Sequence, residues 1–181
     1  IAMGKRGSDI ARDVSDMILL DDNFYSIVKG IEQGRIVYDN SKKATEFLLA
    51  SNFGEILIVL YSIIIGLPLP ILPLQILWIN LVSDAFPALA LVKEPGDNVM
   101  KSKPRQESSI LNGILPLILA AGFVSLIPVI IILHSYLQDI DKARTMVMFS
   151  LIGFELFFVF SCRSEKTLKE IGKDYDEIVK S

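Results

Sequence analysis

The sequence predicts a mainly α-helical, polytopic membrane protein: four transmembrane helices preceded by the end of an α/β domain and a long stalk helix. Three observations predict it. Of 181 residues, 51% are hydrophobic and 22% charged, and the mean hydropathy is +0.48. A soluble domain of this length has no use for so much apolar surface. The apolar residues also come in runs near the roughly 20 residues that a helix needs to cross a bilayer. The first 28 residues, by contrast, are polar and carry no apolar run of the signal-peptide kind. Charge and cysteine usage exclude other classes. Lys+Arg number 18 against 21 Asp+Glu, a net charge of −3, which does not suit a basic nucleic-acid binder. The single Cys162 excludes an internal disulfide or a Cys-rich metal site. The chain opens at Ile1 inside an element, and so reads as a fragment of something longer.

Residues 1–23 read as the tail of an α/β domain. Residues 1–4 suit the end of a strand, with Gly7 and Ser8 as a turn and helix cap. Residues 9–16 suit a short helix, and residues 17–20 a buried strand closed by Asp21, Asp22 and Asn23. From residue 24 to 65 there is no proline and no turn cluster. Two helices broken near Gly30 or Gly34 would fit, but one continuous helix is expected. Forty helical residues measure about 60 Å, roughly twice the hydrocarbon thickness. Residues 24–46 would then form a stalk.

The spans are expected at about 47–66, 71–92, 110–137 and 143–162, so that 47–162 is the membrane domain and 163–181 a cytoplasmic tail or loop. The uncharged turn Leu67-Pro68-Leu69-Pro70 joins the first two. Lys29, Arg35, Lys42 and Lys43 precede the first span, Lys93, Lys101, Lys103 and Arg105 follow the second, and Arg163, Lys166, Lys169 and Lys173 follow the fourth. By the positive-inside rule both ends are cytoplasmic.

A charge at the centre of a span costs about 2.5–3.5 kcal/mol on insertion scales. Glu55, Asp84 and Glu155 all lie there. At about 1.5 Å per residue, all three fall roughly 2–4 Å to the cytoplasmic side of the midplane. Asn52 lies one turn before Glu55, and Asn80 shares a helix face with Asp84, next to Ser83. Pro87 leaves the Ser83 carbonyl without its usual donor, which suits either a plain kink or an ion ligand. Asn52, Glu55, Asn80, Ser83, Asp84 and Glu155 offer oxygen and neither sulfur nor imidazole. That set favours a hard cation such as calcium over zinc or copper. A proton relay through the same carboxylates is the competing use.

Bland readings suit His134 (interfacial), Trp78 (packing) and Cys162 (a small apolar residue). Gly4-Lys5-Arg6-Gly7 meets neither phosphate-loop spacing.

These residues also resemble a known family. Ile1-Ala2-Met3-Gly4, with Ser15-Asp16-Met17-Ile18-Leu19-Leu20-Asp21-Asp22-Asn23-Phe24, resembles the end of the phosphorylation domain of type II P-type ATPases. Ser51-Asn52-Phe53-Gly54-Glu55 resembles the fifth membrane helix of the sarcoplasmic-reticulum-type calcium pumps, and Leu77-Trp78-Ile79-Asn80-Leu81-Val82-Ser83-Asp84 the sixth. Glu155 sits where those pumps carry an acidic ligand on the eighth. The resemblance implies spans five to eight of ten, and calcium coordination by Asn52, Glu55, Asn80, Ser83, Asp84 and Glu155. Ser83 stands for the usual Thr, and Ala85-Phe86 for a pair often seen as Gly-Leu. It further implies an ATP-driven pump in a lipid membrane that exchanges its cation for protons; the lack of a targeting signal in the sequence fits the plasma membrane. ATP, Mg2+ and the phosphorylated Asp would belong to other parts of the same pump chain, so this piece would not hydrolyse ATP by itself. A secondary cation or proton transporter using the same carboxylates is the alternative.

Overall fold

The computed structural model describes residues 1–96, 99–101, 110–111 and 113–163. The expected tail beyond Arg163, and Lys103 and Arg105 of the basic linker, lie outside the described residues. The described residues form two compact units, 1–39 with those of 95–106, and 40–94 with those from 107 onward.

In the first unit, β1 (Ala2–Met3) and β2 (Ile18–Leu19) pair in parallel, Ala2 opposite Ile18 and Met3 opposite Leu19. Between them lies α1 (Asp9–Asp13). Ser8 is its N-cap: the backbone is extended there, and the hydroxyl accepts the Ala11 N–H at 3.2 Å. The helix stops three residues before the expected end. The Ser15 hydroxyl donates toward the Arg12 and Met17 carbonyls, both at 3.2 Å, and turns the chain into β2. Asp22, with φ 58°, accepts the N–H groups of Lys5 at 2.9 Å and Arg6 at 3.0 Å, fastening the turn after β2 to the one after β1. The Ser26 hydroxyl (2.7 Å) and the Asn23 N–H (3.2 Å) donate to Asp21 and hold its carboxyl below the usual range.

From Tyr25 to Ile65 the chain is a single 41-residue helix, α2. Gly30 and Gly34 do not interrupt it. Neither has any group within 4 Å of where a Cβ would sit, so each lowers helix propensity without marking a close contact.

The second unit contains the rest of α2, then α3 (Pro73–Trp78), a π-helical segment (Ile79–Asp84) and α4 (Ala85–Val92), which together make one span. It is completed by α5 (Leu115–Ser135) and α6 (Ile140–Arg163). All four helical stretches are long and apolar enough to cross a membrane. This is an integral membrane protein.

The helix ends have local causes. α2 stops in a Schellman turn: Gly66 has φ 76°, its N–H bonds the Ile63 carbonyl at 3.3 Å, and the Leu67 N–H bonds that of Ser62 at 2.9 Å. α6 begins three residues before the expected position, because the Asp139 carboxylate accepts the Lys142 N–H at 3.1 Å and the Asp139 carbonyl the Ala143 N–H at 2.9 Å. α5 is shorter than the expected 110–137, starting after a turn in which Gly113 has φ 84°.

Two apolar clusters stack along this unit. One gathers Phe47, Ala50, Leu91, Ile118 and Phe158. The other gathers Ile58, Ile79, Val129, Leu133 and Val147. Each of the four spans contributes to both. Asn40 and Ser62 of α2 are buried outside the stretch between the clusters, and the other buried polar residues lie within it. They are Ser51 and Glu55 on α2, Ser83 and Asp84 on the second span, Ser125 on α5, and Glu155 on α6. A polar layer is thus enclosed between two dry ones. Where α2 meets α5, glycines allow close approach: a Cβ on Gly54 would stand 2.6 Å from the Ser125 hydroxyl, and one on Gly122 would stand 2.4 Å from the Phe53 ring.

Candidate functional site: a buried layer of oxygen ligands

Glu55, Asp84 and Glu155 project from three different spans and are at most 5% exposed. They are close enough to repel one another: Asp84 feels the charge of Glu55, and Glu155 feels both. Buried carboxylates ordinarily find donors. Here one does so on one side only. The Asn80 amide donates to Glu55 Oε2 at 3.0 Å and to the Ile76 carbonyl, also at 3.0 Å. Glu55 Oε1, both oxygens of Asp84 and Glu155 Oε2 have no hydrogen-bond partner.

The backbone that carries Asp84 departs from a regular α-helix. Rather than an α-helix bent at Pro87, residues Ile79–Asp84 form a π-helix that passes into α4 at Ala85. Pro87 has no N–H to give to the Ser83 carbonyl, so the regular ladder fails at that point. The wider winding is one answer to the missing donor, and such segments favour functional sites. It brings Asn80, Ser83 and Asp84 into one short stretch, with Ser83 and Asp84 buried.

Asn52 is not brought to this group. Its amide donates to the Leu48 carbonyl of its own helix at 2.7 Å. It also lines a separate apolar cavity of about 480 Å³ with Phe53, Ile56, Leu115 and Ile118. Its neighbour Ser51 holds the inward position instead. Ser51 is buried and lies within electrostatic reach of Asp84, yet its hydroxyl completes no hydrogen bond. Sequence reasoning missed it, although it lies one turn before Glu55, on the same face. Among the described residues, no three His, Cys, Asp or Glu side chains meet as a finished metal centre. The carboxylates share a layer without yet sharing a coordination sphere.

Chemically, the arrangement is a set of hard oxygen acceptors closed off between apolar layers. It can hold a cation that brings its own charge, or protons.

Carboxylates enclosed within a membrane bundle ordinarily mark ion or proton pathways. Residues 68–175 match the family described as "Cation transporting ATPase, C-terminus", and the chain belongs to that family. It is 39% identical over 175 residues to the calcium-transporting ATPase of Bacillus subtilis, covering 93% of this chain and 20% of that protein. It is 44% identical over 170 residues to calcium-transporting ATPase 1 of Lactococcus lactis, covering 91% of this chain and 19% of that protein. It is 49% identical over 106 residues to the P-type sodium-transporting ATPase4 of Toxoplasma gondii, covering 58% of this chain and 8% of that protein. The chain thus spans at most about a fifth of the length of these relatives.

Proposed function

We propose that this chain is the membrane part of an ATP-driven P-type calcium pump, and that its polar layer holds the calcium ion in transit. The observation that carries the proposal is the set of orphaned oxygens. Four carboxylate oxygens and the Ser51 hydroxyl lie buried without a partner. Unpaired buried carboxylates are strongly unfavourable, and a divalent cation supplies the missing charge. Calcium takes about 6–8 oxygens in flexible geometry, whereas magnesium demands a tight octahedron and dehydrates reluctantly. Glu55, Asn80, Ser83, Asp84 and Glu155 would be the ligands, with Asn52 joining after its amide turns from Leu48.

In a complete pump, ATP and Mg2+ would act in domains beyond this chain, through a phosphorylated Asp. The long helix α2 would carry their motion toward Glu55, and protons would return to the carboxylates after calcium leaves. Both ends of the chain would be cytoplasmic, and the plasma membrane is the compartment we assign. Sodium is a second reading with one observation behind it, the 49% identity to a relative named for sodium transport.

The deciding experiment reconstitutes a complete pump carrying this region in sealed vesicles. Uptake of radioactive calcium at micromolar levels should depend on ATP, and magnesium should not compete. Uptake of sodium at millimolar levels, with no response to micromolar calcium, would overturn the assignment.

A further inference from the structure

One cluster of polar groups in the second unit is left unused by the proposed site. Asn40 of α2 is buried, and its side-chain amide donates to the carbonyls of Val92 at 3.1 Å and Glu94 at 2.7 Å. Carbonyls at a helix C-terminus have no donor within the helix. α2 therefore caps α4 from outside. The Glu94 carboxylate reaches in two directions at once: Oε2 pairs with Lys43 of α2 at 3.8 Å, and Oε1 pairs with Arg163 of α6 at 2.5 Å. Two cations beside this end of α4 also meet the negative pole of its dipole. The Lys43 and Glu94 side chains are each 18% exposed, so their attraction is less screened than that of a surface pair.

Each partner belongs to a span that carries one carboxylate of the polar layer. Lys43 precedes Glu55 on α2, Glu94 follows Asp84 just past α4, and Arg163 follows Glu155 on α6. At about 1.5 Å per residue, the fastening lies roughly 12–18 Å along each helix from its carboxylate. Between Glu94 and Asp84 stands α4, an eight-residue rod. Just beyond it lies the π-helical segment, whose winding admits an alternative. A change to α-helical pairing would turn the helix by about 100° per residue of slip. Asp84 and Ser83 would then swing out of the layer.

We propose that Glu94 is a positioning residue for the cation site: its two ion pairs hold the end of α4 against α2 and α6, and so keep the π-helical register that directs Ser83 and Asp84 toward Glu55 and Glu155. The proposal rests on reading that layer as the cation site, but the register can be followed without any ion.

The test uses the complete pump and two readouts. Equilibrium binding of radioactive calcium in Glu94→Gln should weaken about tenfold, while the maximal level of phosphorylation from inorganic phosphate stays near wild type. Glu94→Asp should recover most of the affinity. Lys43→Met should weaken binding alone, and add little on top of Glu94→Gln, because the two act through one contact. For the register, Val82→Cys and Ile152→Cys line the same cavity beside α4. In a Cys162→Ala background their cross-linking by a short dithiol-reactive reagent should fall in Glu94→Gln and survive in Glu94→Asp. Unchanged affinity and unchanged cross-linking in Glu94→Gln would overturn the proposal. So would a proportionate loss of phosphorylation from phosphate, which would mark a general role in folding. Cross-linking that depends on Glu94 in a protein that binds no calcium would uphold the register role and overturn the calcium assignment instead.

Discussion

Asn80 of the π-helical segment donates its side-chain amide to Glu55 of α2 at 3.0 Å, joining two spans through one hydrogen bond inside the polar layer. The same amide also donates to the Ile76 carbonyl. Both of its N–H groups are therefore used, and Glu55 is held by one oxygen with the other left open. A carboxylate fixed in this way points its open oxygen in one direction rather than turning as a free rotor.

Removing that amide should be felt at the ion and in the fold together. Asn80→Ala leaves Glu55 Oε2 buried and unpaired, at a cost of about 1–3 kcal/mol. Calcium affinity should fall by roughly tenfold or more, and Asn80→Asp should be worse, because it replaces the one donor to Glu55 by a fourth carboxyl. Equilibrium calcium binding to the complete pump measures both. Equal affinity in wild type and Asn80→Ala would remove Asn80 from the site.

Asp84→Asn keeps the shape of the side chain but loses the charge. Both Asp84 oxygens lack partners, so an amide there gains a donor and should not unfold the protein. Calcium binding should be lost, together with calcium-dependent phosphorylation by ATP. Phosphorylation from inorganic phosphate should persist and become insensitive to calcium. Near-normal calcium affinity in this variant would place the site elsewhere.

The continuity of α2 has its own test. Val37→Pro removes a ladder hydrogen bond and sets the ring against the carbonyl of Gln33, at about 3 kcal/mol or more for a helix interior. Calcium-stimulated ATPase activity should drop far below wild type, while equilibrium calcium binding changes little. A parallel fall in both would argue against a role for the helix in coupling.

The contact between α2 and α5 predicts a contrast between glycines. Gly54→Val drives carbon into the Ser125 hydroxyl, and overpacking of this kind costs about 1–3 kcal/mol. Gly30→Ala meets nothing within 4 Å and should stabilise its helix, by up to about 1 kcal/mol. Thermal inactivation in detergent should therefore come earlier for the first and no earlier for the second.

Much of this was legible in the residues. Runs of apolar side chains located the four spans, because a bilayer imposes length and hydropathy together. The absence of proline and turn residues from 24 to 65 foretold one helix. The Leu-Pro-Leu-Pro turn marked its end, which the Schellman geometry at Gly66 completes. The three carboxylates announced themselves by depth. What stayed hidden depends on rotation about a helix axis. Asn52 and Ser51 are adjacent, and which of them faces inward is decided by how α2 packs on α5 through Gly54. The π-helix was hidden for a related reason. Pro87 signals a missing donor, but a kink and a wider turn both answer it. Helix ends at Asp13 and Ile140 were set by local hydrogen bonds from Ser15 and to Asp139, which periodicity does not register.

The turn between α2 and α3 bears on how the protein reaches its membrane. If both helices are to span, residues 66–72 must cross the hydrocarbon during insertion, and every unsatisfied N–H among them costs several kcal/mol on the way. The turn carries no charge, and Pro68 and Pro70 within it, like Pro73 at its exit, have no N–H to desolvate. Gly66 and Leu67 have already spent theirs on α2. After arrival, the Arg144 guanidinium donates to the Leu69 carbonyl at 3.1 Å and satisfies an acceptor left over from the passage. The two helices can therefore partition as one preformed hairpin, with few free N–H groups in the turn. The later helix α6 then supplies the seal.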